Sequence, residues 1–183
     1  MRNKRLAVYC GAKIGNNIKY KDAVMSLGKK MIKHKFDLVY GGGTVGLMGV
    51  IAESVLHQGG EVYAIMPKFL KDLEGFEDAA QHTEIVDSMS TRKQRMLELS
   101  DYCLAMPGGA GTLEEIVEAY SWHILGQVNN PCAFYNIDGF YTPMEEMYDN
   151  MVVQGYLSKE NRQKLFFSDS LDEIFTFFEN YQG

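Results

Sequence analysis

One stretch of the sequence sets the fold class, and it reads Phe36-Asp37-Leu38-Val39-Tyr40-Gly41-Gly42-Gly43-Thr44-Val45-Gly46-Leu47-Met48-Gly49. Its first five residues are a short apolar run that predicts a buried strand, and residues 45–57 have the spacing of a helix. Glycines join the two directly. A strand that passes through a short turn into a helix is typical of a βαβ unit, in which the strands are parallel.

The same alternation continues on both sides of this stretch. Further strands are predicted at residues 5–10, 61–66, 102–106 and 132–135, and further helices at residues 19–33, 91–99, 112–125, 143–154 and 171–181. We therefore predict an α/β protein, a Rossmann-like doubly wound parallel sheet with helices on both faces, in a single domain that spans residues 1–183. Residues 67–90 are expected to be an irregular binding loop or lid.

Charge and composition exclude several classes of partner. The formal net charge is -6, which argues against binding to nucleic acid or to an anionic membrane surface. The apolar run within residues 1–12 is too short for a signal peptide or a membrane span, so we expect a cytoplasmic protein. The three cysteines are widely spaced and predict no disulfide framework, and the four scattered histidines predict no metal site.

The first glycine turn carries a G-x-G-x-x-G pattern at Gly41, Gly43 and Gly46. Such a turn lets backbone N–H groups approach a phosphate at a helix N-terminus, although a tight strand-to-helix connection is the alternative interpretation. A dinucleotide cofactor is disfavoured because Glu61 begins the next predicted strand, whereas the ribose-binding acid should end it. No cofactor is predicted.

A second glycine turn follows the predicted strand at residues 102–106 and reads Pro107-Gly108-Gly109-Ala110-Gly111-Thr112. Neither turn ends in the Gly-Lys-Ser/Thr of a P-loop, so the predicted phosphate ligand is not a triphosphate. In open α/β sheets the ligand lies beyond the carboxyl ends of the strands, where both turns are expected.

Charged residues near the second turn allow two interpretations each. Glu115 fits a capping box with Thr112, but its angular position opposite the apolar stripe of the helix predicts that it faces a ligand or a partner subunit, beside an exposed Trp122. Cations cluster at residues 92–95, the helix end that disfavours them, so a bound phosphate or a glutamate should compensate them. A plain solvated face is equally compatible with the pattern.

These motifs resemble those of the Lonely Guy (LOG) family, the cytokinin-activating phosphoribohydrolases formerly labelled lysine decarboxylases. The resemblance covers nearly the whole chain and is carried by residues 9–11, 41–49, 89–93, 107–115 and 136–141. It implies a homodimer that hydrolyses a nucleoside 5'-monophosphate, either a cytokinin riboside 5'-monophosphate or AMP, to the free base and ribose 5-phosphate.

The resemblance also implies roles for individual residues. Arg92 and Glu115 match the arginine and glutamate that serve the glycosidic bond. Other motif positions are expected to bind the substrate, namely Gly41, Gly42, Gly43, Thr44, Glu74, Met89, Lys93, Gly108, Gly109, Gly111, Thr112 and Glu114. Two positions depart from the family pattern: Ser90 replaces a usual histidine, and Ala110 replaces a tyrosine common in plant members. Both departures bear on base preference.

Two other functions are compatible with parts of the sequence. A pyridoxal-dependent decarboxylase needs a Schiff-base lysine with its partner groups, and no lysine here is marked as one. A non-catalytic carrier of a nucleotide or of a phosphate-containing cofactor would keep the glycine turns. Such a carrier has no need of Arg92 and Glu115 together, so their joint presence favours the enzyme.

Overall fold

The computed structural model describes residues 2–74 and 80–181, without the side chains of residues 72–74. Seven strands lie in this part of the chain: β1 (Lys4–Tyr9), β2 (Phe36–Tyr40), β3 (Val62–Pro67), β4 (His82–Val86), β5 (Tyr102–Ala105), β6 (Cys132–Tyr135) and β7 (Leu165–Ser168). The helices are α1 (Ile18–Lys33), α2 (Gly46–Leu56), α3 (Lys68–Glu74), α4 (Met89–Leu99), α5 (Ala110–Ile124), α6 (Thr142–Val153), α7 (Lys159–Gln163) and α8 (Leu171–Asn180), with a 3-10 turn at Ile137–Gly139.

All seven strands form one parallel sheet in the order β4-β3-β2-β1-β5-β6-β7. The predicted Rossmann-like parallel sheet is therefore confirmed. Chain progression reverses between β1 and β5, which pair from Leu6 with Tyr102 to Tyr9 with Ala105. This is the switch point at which open α/β sheets bind ligands, and the turns that follow β1, β2 and β5 all lie at that edge.

Helices cover both faces of the sheet, as predicted. Because side chains alternate along a strand, Leu6 and Val8 of β1 belong to one core cluster and Ala7 and Tyr9 to the other. The first cluster includes buried residues of α1, α2 and α8, and the second includes those of α4, α5 and α6. Both glycine-turn helices are thus held against the sheet, but on opposite faces.

The prediction of an irregular segment at residues 67–90 is wrong, because α3 and β4 lie within it. β4 is an edge strand that pairs only with β3 in the described sheet, and its pattern His82-Thr83-Glu84-Ile85-Val86 is mostly polar, with only Val86 buried. β7, the other edge strand, and α7 were also not predicted. β4 lacks the continuous apolar run that identifies buried parallel strands, and the run in β7, Leu165-Phe166-Phe167, is only three residues long.

None of the helices in the described ranges is long and apolar enough to cross a membrane. Cys10, Cys103 and Cys132 are buried free thiols.

Candidate active site at the sheet switch point

The first glycine turn, between β2 and α2, is shaped by contact with the loop after β1. Gly42 and Gly46 have φ values of +81° and +64°, which favour glycine. A Cβ atom on Gly46 would lie 2.3 Å from the carbonyl carbon and oxygen of Ala12, so a side chain does not fit there. The Leu47 N–H donates to the Gly11 carbonyl at 3.0 Å, which ties the start of α2 to the same loop.

The second glycine turn, between β5 and α5, contacts Gly11 from the other side. The Gly11 N–H donates to the Pro107 carbonyl at 3.1 Å, and a Cβ atom on Gly108 would lie 3.0 Å from the Gly11 nitrogen. The backbone of Gly11 therefore joins both turns. Gly11 was not among the predicted site residues, although a glycine directly after the first strand is the signal that could have identified it.

Backbone N–H groups at the start of α2 and α5 receive no side-chain cap. The N-cap residues of these helices, Val45 and Gly109, make no side-chain hydrogen bond to the first turn. By contrast, side chains cap α1, α4, α7 and α8, and they belong to Asn17, Ser88, Ser158 and Ser170. α6 also begins without a side-chain cap and has a proline in its first turn. At α2 the Leu47 N–H already donates to Gly11, so the remaining N–H groups of α2, those that begin α5 and the positive ends of both helix dipoles are what suits an anion.

The capping box of Thr112 and Glu115 is not formed, because α5 begins at Ala110 and its N-cap is Gly109. Glu115 instead pairs with Arg92 of α4, at 3.0 Å between Oε1 and Nη2. Each of the two side chains is only 9% exposed. The predicted placement of Glu115 opposite the buried face of the helix is wrong, because α5 buries Thr112, Glu115, Ile116 and Ala119 together. That Glu115 faces a ligand stays a prediction.

This error has a physical reason. Hydrophobic periodicity counts only apolar residues, and it does not register a buried carboxylate whose partner lies on another helix. Trp122 was expected to be exposed, but it is partly buried and packs against the second core cluster.

The guanidinium of Arg92 packs on the backbone of the first glycine turn. A Cβ atom on Gly41 would lie 1.9 Å from Nη2 and 2.6 Å from Cζ, so a side chain there would displace the guanidinium from this position. Nη1 donates weakly to the sulfur of Met89 at 3.8 Å. Nε is buried and has no hydrogen-bond partner among the described residues. One edge of the guanidinium thus holds Glu115, while other donors remain for a ligand.

Burial dominates the electrostatics of this pair. It raises the pKa of Glu115, and the nearby Arg92 guanidinium opposes but does not cancel that effect. Burial also raises the pKa of the Cys10 thiol, which lies close enough to feel both charges. Cys10 stays a neutral thiol and is no candidate for a nucleophile.

The remaining cations of α4 also find glutamates. Lys93 Nζ binds Glu114 and, at 2.9 Å, Glu118. Arg95 binds Glu84 and Glu98. Of the alternatives for this cation cluster, compensation by glutamates is the one observed. Two predicted substrate-binding residues, Lys93 and Glu114, are thus paired with each other, and they hold α4 against α5.

Other predicted site residues are placed less centrally. Thr44 and Ser90 are exposed, and Met89 is half-buried beside Arg92. The side chain of Glu74 lies outside the described residues. A cavity of about 410 Å³ adjoins the second glycine turn, and its walls include Gly11, Ile14, Tyr20, Leu47, Gly109 and Phe140. Within residues 2–74 and 80–181, no group of three or more His, Cys, Asp or Glu residues is arranged to hold a metal ion.

Comparison with solved structures shows the same fold in proteins of low sequence identity. The molybdenum cofactor binding protein of Rippkaea orientalis matches with a TM-score of 0.74 and 20% identity, over 98% of this chain and 97% of that one. The Moco carrier protein of Chlamydomonas reinhardtii matches with a TM-score of 0.69 and 16% identity, over 97% of this chain and 96% of that one. At these identities the likeness extends to the fold alone.

Sequence comparisons are more specific. The model of a family described as "Possible lysine decarboxylase" matches residues 48–178. The cytokinin riboside 5'-monophosphate phosphoribohydrolase LOG1 of Arabidopsis thaliana is 36% identical over 178 residues, which cover 97% of this chain and 84% of that protein. The enzyme LOG of Oryza sativa subsp. japonica is 36% identical over 180 residues, covering 98% of this chain and 74% of that protein. With the glycine turns and the buried Arg92–Glu115 pair in place, these matches establish that the chain belongs to the LOG family.

Proposed function

We propose that this protein is a phosphoribohydrolase that cleaves the N-glycosidic bond of a nucleoside 5'-monophosphate and releases the free base and ribose 5-phosphate. The observation that carries the proposal is the buried Arg92–Glu115 pair packed against Gly41 of the first glycine turn. The names of the relatives point the same way, since both are phosphoribohydrolases of a riboside 5'-monophosphate. A mere carrier of a phosphate ligand does not require such a pair.

The glycine turns account for the 5'-phosphate. The uncapped starts of α2 and α5 lie at the switch point, where they supply backbone donors without side chains in the way. Gly109 and Gly111 support this role, because a Cβ atom on either would meet no described atom within 4 Å. The fold itself does not require glycine at those two positions, but close approach of a ligand does.

Glu115 and Arg92 account for the chemistry. As the bond between C1' of the ribose and the base nitrogen breaks, positive charge develops on the ribose, and the Glu115 carboxylate stabilises it. Water then bonds to C1' through its oxygen, while its proton passes to the departing base or to solvent. Arg92, a permanent cation, orients Glu115 and offers its free donors to the substrate.

A panel of nucleoside monophosphates, with and without N6 substituents, tests the proposal by the release of free base and ribose 5-phosphate. We expect cleavage of AMP or of an N6-substituted relative, and much weaker cleavage of adenosine, which lacks the phosphate. Binding of the nucleotides without release of base would instead identify a carrier. An absorbance band of bound pyridoxal in the purified protein would instead support a pyridoxal-dependent decarboxylase. The panel also measures base preference, for which we propose Ser90 and Ala110 as determinants.

We further propose that the protein is a homodimer. Apolar side chains just after α5, in α6 and just after α6 remain exposed, and they include Leu125 (70%), Met147 (52%), Val153 (79%) and Tyr156 (88%). We propose that they form part of the dimer interface. Light scattering should give twice the chain mass of 20.7 kDa. A fully active monomer would contradict the proposal.

We also propose a cytoplasmic location. Its support is the set of three free, buried thiols, which is usual in a reducing compartment. Fractionation of cells that express the protein with an epitope tag tests this directly.

A further inference from the structure

Residues 136–141 form a loop that the proposed chemistry leaves unexplained. The loop follows β6 and contains the 3-10 turn, where Asp138 and Gly139 have φ values of 52° and 72°. Asp138 accepts hydrogen bonds from the side chains of Asn17 at 3.0 Å and Lys19 at 3.1 Å, at the start of α1. The loop is thus anchored beside the loop after β1, which joins both glycine turns.

The last residue of this loop, Tyr141, reaches into the second glycine turn. Its side chain is 2% exposed, and its ring packs on Phe134 at a centroid distance of 4.7 Å. The Tyr141 N–H donates to Asn136 Oδ1 at 2.6 Å, which fixes the backbone. Its hydroxyl donates to the buried carbonyl of Met106 at 2.7 Å. The hydroxyl is a dedicated donor, because burial raises its pKa.

The Met106 carbonyl, which accepts this hydrogen bond, lies just beyond the end of the β5–β6 pairing. The ladder between β5 and β6 ends at Ala105, so the Met106 carbonyl is the first after the last ladder pair. Pro107 has no N–H with which to hold the turn. The turn is instead held through two consecutive carbonyls, that of Met106 by Tyr141 and that of Pro107 by Gly11. Their orientation sets the direction of the peptide groups of Gly108 and Gly109, directly before α5.

We propose that Tyr141 is a positioning residue for phosphate binding, which fixes the Met106 carbonyl so that the N–H groups at the start of α5 converge on the 5'-phosphate. This inference rests on the proposed function, since it assigns a role within the same site. In this proposal Tyr141 does not contact the reacting atoms. It changes the affinity for the 5'-phosphate and not the rate of bond cleavage.

The test is Tyr141→Phe, with Tyr120→Phe as the matched control. Tyr120 is also 2% exposed and donates its hydroxyl to a backbone carbonyl, that of Asn161 in α7 at 2.8 Å. Both variants thus lose one hydrogen bond from a tyrosine hydroxyl to a backbone carbonyl, which is buried for Tyr141 and partly buried for Tyr120. Affinity for AMP is measured by calorimetry in a Glu115→Gln background, in which turnover is slowed, and affinity for adenosine is measured alongside.

We expect Tyr141→Phe to weaken AMP binding roughly three- to tenfold, as the loss of one hydrogen bond allows, and to leave adenosine binding unchanged. Tyr120→Phe should alter neither affinity, although both variants should melt at slightly lower temperature. In addition, the amide NMR signals of Gly108 and Gly109 should shift in Tyr141→Phe and not in Tyr120→Phe, which reports the turn even if affinity is hard to measure. Unchanged AMP binding with unshifted amides, or equal effects of both variants, would overturn the proposal.

The proposed function fails separately, namely if the wild-type protein binds AMP but releases no base. The binding comparison between the two tyrosine variants still decides the role of Tyr141 in that case.

Discussion

At the scale of single residues, Glu115 and Glu114 are neighbours in the chain with opposite environments. Glu115 is buried against Arg92, whereas the Glu114 side chain is 52% exposed and pairs with Lys93. Helical geometry places them about 100° apart. Composition and charge do not distinguish them, so only their positions assign them different roles.

Glu115→Gln should lower kcat roughly a hundredfold or more, in line with the loss of a well-placed electrostatic group. Stability should change little or increase, because burial raises the pKa of Glu115 and the fold therefore disfavours its charge, while glutamine still accepts from Arg92. Steady-state kinetics and thermal melting measure the two effects. Glu114→Gln is the control and should be the milder change in kcat. Near-normal turnover of Glu115→Gln would remove Glu115 from the mechanism.

The pH dependence of kcat/KM follows from the raised pKa of Glu115 in the free protein. The protonated form is favoured by the fold, so the contribution of Glu115 to stability is present at low pH and is lost as pH rises through the raised value. Activity should change in the opposite direction and increase as pH rises, because the carboxylate forms only above the raised pKa. The acid limb of kcat/KM should therefore lie above about 4.3, the ordinary pKa of glutamate.

Carbon-13 NMR of the Glu115 carboxyl group checks the assignment. Arg92→Gln should raise this pKa further, since the guanidinium is the main influence that lowers it. An acid limb at the ordinary value, with no response to Arg92→Gln, would refute the interpretation.

At the scale of elements, the two glycine turns contain glycines of two kinds. At some positions the fold leaves no space for a side chain, and at others only a bound ligand would need that space. Gly41 has no room for a Cβ atom beside Arg92, whereas Gly111 lies in α5 with open space around it. Gly111→Ala should therefore stabilise the protein by about 0.5 kcal/mol, since alanine favours the helix, and should weaken binding of the 5'-phosphate. Denaturant unfolding and AMP affinity measure the two effects.

Gly41→Ala provides the contrast, with a loss of both stability and activity. If Gly111→Ala leaves AMP binding unchanged, the phosphate does not approach that turn of the helix.

The strands, turns and helix contacts differ in how well the sequence predicted them. The buried strands and the glycine turns were predictable, because apolar runs such as Phe36–Tyr40 and turns such as residues 41–43 are local patterns. β4 was not, since three of its five residues are polar. Arg92 and Glu115 lie 23 positions apart in the chain and on different helices. Periodicity within one helix therefore does not predict their pairing. The role of Gly11 as the joint between two turns depends likewise on the tertiary fold.

At the scale of the whole molecule, we propose that residues 1–183 form one folding unit. The supporting observation is the single continuous sheet, with a core cluster on each face. Trp122, the only tryptophan in the sequence, lies on α5, whereas far-UV circular dichroism averages over every helix and strand. Urea unfolding followed by Trp122 fluorescence and by circular dichroism should give coincident curves. Two separated transitions would indicate a second unit.

Alkylation of the three buried cysteines can report when the folded protein opens. Cys103 and Cys132 lie on the adjacent interior strands β5 and β6, and Cys10 directly follows β1. Burial keeps Cys10 and Cys132 protonated by raising the pKa of each, whereas alkylating reagents attack the exposed thiolate. Alkylation should therefore be negligible in the native protein and should proceed at the rate at which the sheet opens. Mass spectrometry of a timed alkylation would count the modified thiols chain by chain. Chains with none or all three labelled would show that the sheet opens as a whole, and singly labelled chains would reveal where it opens first.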